Sequence, residues 1–168
     1  MSRPYRLGRR QASVDRTAQN ILAAARRQLE QGAGLSVGAV AQAAGVTRAT
    51  VYNRFGSAAA LLRSLTPPAA APAPELQGYL AVRCTGWTAN PNLYRHLPEV
   101  DVTETTRHLA EDMARADALR PGCSIREAQD VIAVLGSFAV FDRLHQDGRR
   151  SPAAVTEILM RLARGILP

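Results

Sequence analysis

The sequence predicts an all-α protein in which a three-helix N-terminal module precedes a short helical C-terminal domain. Apolar residues recur at helical spacing along most of the chain, and no segment alternates as a β-strand would. The segment PPAAAPAP, residues 67–74, is typical of a stiff, extended connector between the two parts. Residues 1–66 contain ten arginines and two acidic residues, whereas residues 67–168 contain eleven arginines and twelve acidic residues.

This charge distribution predicts that the N-terminal part binds a polyanion. The formal net charge is +7, and all 21 basic residues are arginine. Because the first 66 residues carry +8 and the remainder −1, the positive excess belongs to the first part alone. A basic balance suits nucleic acids and anionic membranes equally, so the charge by itself leaves the partner open.

Several classes of protein are not expected. The basic N-terminus is not followed by an apolar segment, so we expect no secretory signal and a cytoplasmic location. The longest dense apolar run, residues 131–141, is too short to cross a bilayer. Cys84 and Cys123 have no CxxC companion, which argues against a disulfide framework, and we expect both thiols to be buried.

The chain should begin with a flexible basic arm over residues 1–12, which are rich in arginine and poor in apolar residues. A first helix then starts near Ser13 or Asp15, both of which are suitable N-caps, and ends at Gly32. Its apolar stripe at helical spacing consists of Ala18, Ile21, Leu22, Ala25 and Leu29.

Three short helices should complete the first domain, residues 13–66. Ser36 can cap the second helix, and Thr47 can cap the third. Ser57 begins a fourth helix that must stop before Pro67, because proline lacks an amide donor and disfavours helix in the residue before it.

Residues 75–168 should form a second, helical domain. We predict helices at 75–89, 91–97, 101–119, 124–146 and 152–166. The helix at 124–146 carries apolar residues on two faces and therefore needs two neighbours. With the helix at 152–166 and the same pair from a second subunit, it predicts a four-helix dimer interface. The residues expected there are Val131, Val134, Phe138, Phe141, Val155, Ile158, Leu159, Leu162 and Ile166.

The most specific stretch is SVGAVAQAAGVTRATVYNRFGSAAALL, residues 36–62. It predicts two short helices that meet at a sharp turn, which is the helix-turn-helix unit whose second helix enters the major groove of DNA. Small residues at the turn let the backbones approach, and Val40 and Val51 should pack between the helices. Groups suited to phosphates, base edges or a thymine methyl lie on the polar face: Thr47, Arg48, Ala49, Thr50 and Asn53.

The segment AVAQAAGVTRATVYNRFGS resembles the DNA-binding segment of TetR-type bacterial transcriptional regulators, and the likeness extends from Arg16 to Leu65. The resemblance implies that Thr47 and Tyr52 hold phosphates and that Phe55 belongs to the core. Near base edges it places Arg48, Ala49 and Asn53. The full set of residues expected to contact DNA is Ser36, Thr47, Arg48, Ala49, Thr50, Tyr52, Asn53, Arg54, Arg9, Arg10 and Arg16.

The sequence departs from the TetR pattern at two places. A lysine that usually follows the Phe-Gly-Ser-like turn and touches the DNA backbone is replaced by Ala58, which implies the loss of one phosphate contact. Pro67 and Pro68 cut short the fourth helix, which in the family couples the DNA-binding part to the rest of the chain.

The resemblance also implies a homodimeric repressor that binds double-stranded DNA at a palindromic operator and is released by a small-molecule effector. Effector pockets are mostly apolar with a few polar groups. The candidate lining residues are Trp87, Tyr94, His96, Met113, Phe138 and Phe141. Ordinary core packing also explains each of them, and so short a domain permits a regulator without an effector.

Other classes of function fit the sequence less well. No enzyme is expected, because none of the three histidines lies near a GxSxG, HExxH or phosphate-binding glycine motif. No cofactor or metal is expected, because Cys84, His96 and Cys123 lack metal-ligand spacing. The alternative is a helical protein-interaction module with a degenerate helix-turn-helix and no specific DNA binding, which Ala58 makes conceivable.

Overall fold

The computed structural model describes the backbone of residues 5–67 and 75–165, and the side chains of residues 14–67 and 75–165. Within these ranges the protein is helical and has no β-strand, which confirms the predicted all-α fold. The helices are α1 (Tyr5–Glu30), α2 (Val37–Ala43), α3 (Arg48–Phe55), α4 (Ala58–Leu65), α5 (Leu76–Thr88), α6 (Pro91–Tyr94), α7 (Thr103–Arg115), α8 (Ile125–Leu135), α9 (Phe138–Asp142) and α10 (Pro152–Ala163). A π-helical turn, Arg143–Asp147, follows α9. Among the described helices, none is long and apolar enough to span a lipid bilayer.

The chain folds into two compact units. The first comprises residues 1–67 and 92–98, and the second comprises residues 68–91 and 99–168. The change of unit after residue 67 lies at the start of the predicted connector, whose residues 68–74 fall outside the described part of the chain. The segment 92–98 folds with the first unit, although the sequence predicts it within a C-terminal domain over 75–168.

The first unit is built on α1, whose apolar stripe packs against α2 and α4. Ile21, Ala25 and Leu29 are fully buried, as the helical spacing predicts. The other buried members of this core are Ala24, Val40, Ala41, Val51, Leu61, Leu65 and Leu93.

α1 begins at Tyr5, so the prediction of a flexible arm over residues 1–12 is wrong from this residue onward. Residues 5–12 have no apolar stripe and therefore no amphipathic pattern that would predict a helix. The arginine, leucine, glutamine and alanine residues among them nevertheless favour helix, with Gly8 as the one exception. Because adding a residue to an existing helix is much easier than starting a new one, the helix extends backwards from its packed part.

The segment 92–98 closes the C-terminal end of α1. Leu93 is only 1% exposed and lies in the core of the first unit. The side-chain amide of Asn92 donates to the carbonyl oxygen of Glu30 at 3.1 Å, which satisfies a carbonyl that the end of the helix leaves free. Arg95 holds this amide in place by donating to Asn92 Oδ1 at 2.6 Å.

The second unit packs α5 against α10 and α7 against α8. Its core contains Ile132, Phe141 and Leu159, each fully buried. Trp87 joins this core through its ring, whose centroid lies 5.7 Å from that of Phe138 and 5.3 Å from that of Phe141. The aromatic rings thus link α5 to α9.

The two cysteines have different environments. Cys84 on α5 is fully buried as predicted, whereas Cys123 is only half-buried, so the prediction is wrong for the second thiol. Burial raises the pKa of the Cys84 thiol, against the opposing effect of its hydrogen bond with Thr156. Because the thiolate is the reactive form, Cys84 is protected both by its location and by its protonation.

The single helix predicted over residues 124–146 is interrupted at Gly136. The Ser137 hydroxyl accepts a hydrogen bond from the Val140 amide at 3.4 Å and starts α9 as a new N-cap. The apolar spacing continues across the break, so periodicity alone does not reveal it. The helix predicted over 101–119 also ends early, because Asp117 adopts a left-handed backbone conformation with φ of +52°.

The break at Gly136 makes room for Tyr79 of α5. A methyl group added to Gly136 would lie 2.8 Å from the Tyr79 hydroxyl oxygen and from its ring edge. Arg83 donates from Nε to the Gly136 carbonyl at 2.8 Å, and its guanidinium lies 5.4 Å from the Tyr79 ring centroid. Among the described residues, the buried Tyr79 hydroxyl has no hydrogen-bond partner. Its burial raises the pKa of the phenol, which the Arg83 charge partly opposes.

Tyr79→Phe should therefore leave the free energy of unfolding unchanged or slightly higher, because it removes a buried hydroxyl that makes no hydrogen bond. Gly136→Ala should lower it by about 1–3 kcal/mol, because its methyl group would overpack the contact with the ring. Urea denaturation of the full chain measures both. Gly86→Ala, where an added methyl group would meet no atom within 4 Å, is the control. A loss of more than about 1 kcal/mol in Tyr79→Phe would show that the hydroxyl is bonded after all.

Candidate nucleic-acid interface

Three hydroxyl side chains fix where the short helices of the first unit begin. Ser36, Thr47 and Ser57 are the N-caps of α2, α3 and α4. Each side-chain oxygen accepts a hydrogen bond from the amide three residues further on, at 3.4, 3.1 and 3.0 Å respectively. These caps agree with the sequence prediction, and they satisfy amides that a helix start otherwise leaves without partners.

A left-handed glycine makes the turn between α2 and α3. Gly45 has φ of +67°, a conformation that glycine adopts without steric cost. The chain then folds back so that the Val46 amide donates to the Ala41 carbonyl at 2.9 Å. This hydrogen bond ties the turn to the preceding helix and fixes the direction in which α3 leaves it.

The inner faces of α2 and α3 share the core of the first unit. Val40 is 1% exposed and Val51 is 2% exposed, as predicted for residues between the two helices. Phe55 is partly buried against the same core, in agreement with the role that the family resemblance implies. Since the apolar face of α3 is held inside, its opposite face must point to solvent.

That opposite face carries most of the side chains predicted to contact DNA. The exposed residues on it are Thr47, Arg48, Ala49, Tyr52, Asn53 and Arg54. Tyr52 is the large apolar residue among them and is 47% exposed, so it does not serve as core. Thr50 is half-buried, and its hydroxyl lies 2.9 Å from that of Thr47.

The remaining predicted DNA contacts lie on other elements. Ser36 is exposed, and its hydroxyl serves as the cap of α2. Arg16 is exposed on α1. Arg9 and Arg10 belong to the part of α1 whose side chains lie outside the described residues. Ala58 stands at the first position of α4.

Two side chains outside the predicted set of site residues, Gln28 and Arg26, hold the interface in place. Gln28 of α1 accepts a hydrogen bond from the Ser36 amide at 3.3 Å and donates to the Gly34 carbonyl at 3.1 Å. Arg26 donates to the Leu65 carbonyl at 3.4 Å, at the end of α4. Both side chains bond to residues across a turn or on another helix, so local sequence patterns do not predict these hydrogen bonds.

The predicted effector pocket stays a prediction, and its residues are divided between the two units. Tyr94 and His96 fold with the first unit, whereas the other four predicted residues belong to the second. Within the second unit, Trp87 and Phe141 are buried core residues rather than walls of an open cleft. Two open clefts in that unit, of about 570 and 500 Å³, are lined by other residues. The residues that line these two clefts include none of the predicted set: Trp87, Tyr94, His96, Met113, Phe138 and Phe141.

The predicted dimer interface also stays a prediction, although burial within one subunit excludes some of its residues. Phe141, Val155 and Leu159 are fully buried inside the second unit, so they cannot contact a partner subunit. Val134 and Leu162 are 60% and 55% exposed and remain available. Val131, Phe138 and Ile158 are half-buried, and Ile166 lies outside the described residues. The sequence shows apolar faces on these helices but does not show which face packs within the subunit.

Comparison with known protein families finds a similarity within the first unit. Residues 21–65 match the model of a family described as bacterial regulatory proteins, tetR family. The match covers α2 to α4 with the last ten residues of α1, and it confirms the predicted resemblance to TetR-type regulators over this segment. No curated protein sequence matches the chain at a significant level.

One solved structure is similar over nearly the whole length. It is native NalD, the secondary repressor of the MexAB-OprM multidrug efflux pump in Pseudomonas aeruginosa. The TM-score is 0.69 at 20% sequence identity, and the alignment covers 92% of this chain and 98% of the NalD chain. At this identity the likeness shows that the two chains share a fold.

Replacing Gln28 tests how the interface is held. Gln28→Ala removes two hydrogen bonds to the loop before α2 and should lower the free energy of unfolding by about 1 kcal/mol. Gln31→Ala, at an exposed position three residues away, should change it by less than about 0.5 kcal/mol. Urea denaturation measures both, and equal effects would contradict a specific role for Gln28.

Proposed function

We propose that the chain binds double-stranded DNA through the exposed face of α3 and represses transcription as a homodimer on a palindromic operator. The observation that carries this proposal is the charge around that face. Residues 31–66 contain Arg48, Arg54 and Arg63 but no acidic residue. The three guanidinium groups therefore have no carboxylate partner on α2, α3 or α4, and DNA phosphates supply the missing negative charge.

The side chains of α3 divide into two roles in this proposal. Arg48 and Asn53 read base edges in the major groove, where arginine pairs best with guanine and asparagine with adenine. Thr47 and Tyr52 hold phosphates and set the position of the helix, which supplies affinity without sequence preference. Ala49 is exposed between them and suits contact with a thymine methyl group.

Exposed apolar residues on the second unit support a dimer. Val134 on α8 and Leu162 on α10 are more exposed than large apolar side chains usually are. A two-fold dimer places two copies of α3 on successive major grooves, so the half-sites are about one helical turn apart or a multiple of it. A palindromic operator is the DNA counterpart of this symmetry.

A further part of the proposal is that a small-molecule effector releases the protein from DNA. The candidate sites are the two open clefts of the second unit, one between α5 and α10 and one beside the start of α7. An effector acts by a coupling free energy, typically about 1–3 kcal/mol, between its own site and the DNA-binding face. If no tested ligand changed the affinity for the operator, the protein would be a repressor without an inducer.

Selection of bound sequences from random DNA tests the proposal directly. A palindromic consensus is the expected result, with binding that weakens steeply as salt is added, since each phosphate contact releases a counterion. No binding even at low salt would overturn the proposal. It would favour the alternative of a protein-interaction module with a degenerate helix-turn-helix.

Two substitutions separate base reading from phosphate contact. Arg48→Ala should relax the preference at one base position by about 1–3 kcal/mol, because it removes a bidentate donor. Tyr52→Phe should weaken binding to all sequences alike and leave the consensus unchanged. Competition binding with single-base operator variants measures both. If both variants lost only general affinity, the assigned roles would be wrong.

Two further substitutions test the dimer. Val134→Asp and Leu162→Asp should shift the protein from dimer to monomer while the subunit stays folded, because both side chains point away from the subunit core. Sedimentation velocity and circular dichroism measure these two properties. Val82→Asp on α5, a position that is 45% exposed, is the matched control and should leave the dimer intact. Dissociation by all three variants alike would contradict the proposed interface.

A further inference from the structure

Arg48 is an exposed side chain whose guanidinium lies against α2 beside Gly38. A methyl group added to Gly38 would meet Nη2 of Arg48 at 2.6 Å, Nε at 3.0 Å and Cζ at 3.1 Å. Apart from the neighbouring residues and backbone of α2 itself, these are the three nearest heavy atoms to that point, and all belong to the one side chain. The planar end of Arg48 thus occupies the space that any other residue at position 38 would fill.

The backbone gives no reason for glycine at this position. Gly38 is the second residue of α2, a helix of seven residues. It does not belong to the glycines with positive φ in the described part of the chain, which are Gly32, Gly45, Gly56 and Gly122. Glycine within a helix destabilises it relative to alanine, and a helix this short has little stability of its own.

We infer that Gly38 is a positioning residue for Arg48 and thereby a determinant of DNA sequence preference. Arginine has many rotamers, and a side chain that is free in solvent must lose them when it binds. The contact with α2 restricts the guanidinium to one region beside the recognition helix before DNA arrives. Such preorganisation raises affinity by reducing the ordering that binding requires. This inference rests on the proposed reading of a base by Arg48.

The position of the Arg48 guanidinium beside Gly38 is explained by packing and not by attraction between charges. The described hydrogen bonds and ion pairs include none between Arg48 and a carboxylate, and no acidic residue lies between positions 31 and 66. The first turn of α2 is moreover the positive end of a helix dipole, which does not attract a cation. The missing Cβ of Gly38 leaves the space in which the guanidinium packs against α2, so filling that space should displace it.

Gly38→Ala is the decisive variant, because it changes stability and specificity in different directions. Its methyl group displaces only the flexible end of Arg48, and alanine favours the helix, so the melting temperature should be unchanged or higher. The preference for the consensus base at the position read by Arg48 should fall about tenfold, which is within the range that a bidentate contact contributes. Preferences at the other operator positions should stay as they are.

Three comparisons keep the test specific. In an Arg48→Ala background, Gly38→Ala should have no effect on base preference, because the side chain that it displaces is absent. An equal loss in that background would overturn the inference and assign Gly38 a direct contact with DNA. Gly86→Ala, a helical glycine with no atom within 4 Å of an added methyl group, is the matched control and should leave DNA binding unchanged. A Gly38→Ala protein with wild-type base preference would also overturn the inference.

A measurement without DNA separates this inference from the proposed function. Relaxation of the Arg48 Nε–Hε group by ¹⁵N NMR should show restricted motion in the wild-type protein and faster motion in Gly38→Ala. Equal mobility in both proteins would overturn the positioning role, whatever the DNA-binding result. A wild-type chain that binds no DNA would overturn the proposed function and the specificity role with it, while the NMR comparison would still decide the positioning.

Discussion

The burial of Val40 and Val51 in a single core with Ile21 and Leu29 is the constraint on which the rest of the first unit depends. α2 and α3 contain seven and eight residues, and helices of this length are not stable in water by themselves. Their existence and their mutual angle therefore come from the shared core. The polar face of α3 is exposed because the other face is held, so the geometry of the candidate interface is a result of packing in the interior.

The local parts of this arrangement could be predicted from the sequence. Hydroxyl caps at Ser36, Thr47 and Ser57 and the left-handed Gly45 are signals that act over three or four residues. Such signals survive in any tertiary context, because the groups that they satisfy lie next to them in the chain. The helix-turn-helix and the exposed residues of α3 could be predicted for this reason.

The parts that could not be predicted depend on partners distant in sequence. Apolar spacing on α8 to α10 shows that a residue seeks burial, but it does not say whether the neighbour is in the same subunit. Phe141 and Leu159 are buried, whereas Val134 and Leu162 are exposed, although all four belong to the same helical pattern of apolar residues. The close contact of Gly136 with the Tyr79 ring is similar, since the ring belongs to another helix. Trp87 and Phe141, two of the aromatic residues predicted as pocket walls, are buried in the core.

The segment 92–98 makes the first unit discontinuous in the sequence. The chain leaves the first unit after residue 67, returns with Asn92 and Leu93 to cover the end of α1, and leaves again after residue 98. The first unit is therefore not a contiguous piece of the gene. A gene fusion that transfers residues 1–67 alone would leave behind the hydrogen bond to the Glu30 carbonyl and the buried Leu93. Such a transfer should give a stable first unit only where the new partner supplies an equivalent return segment.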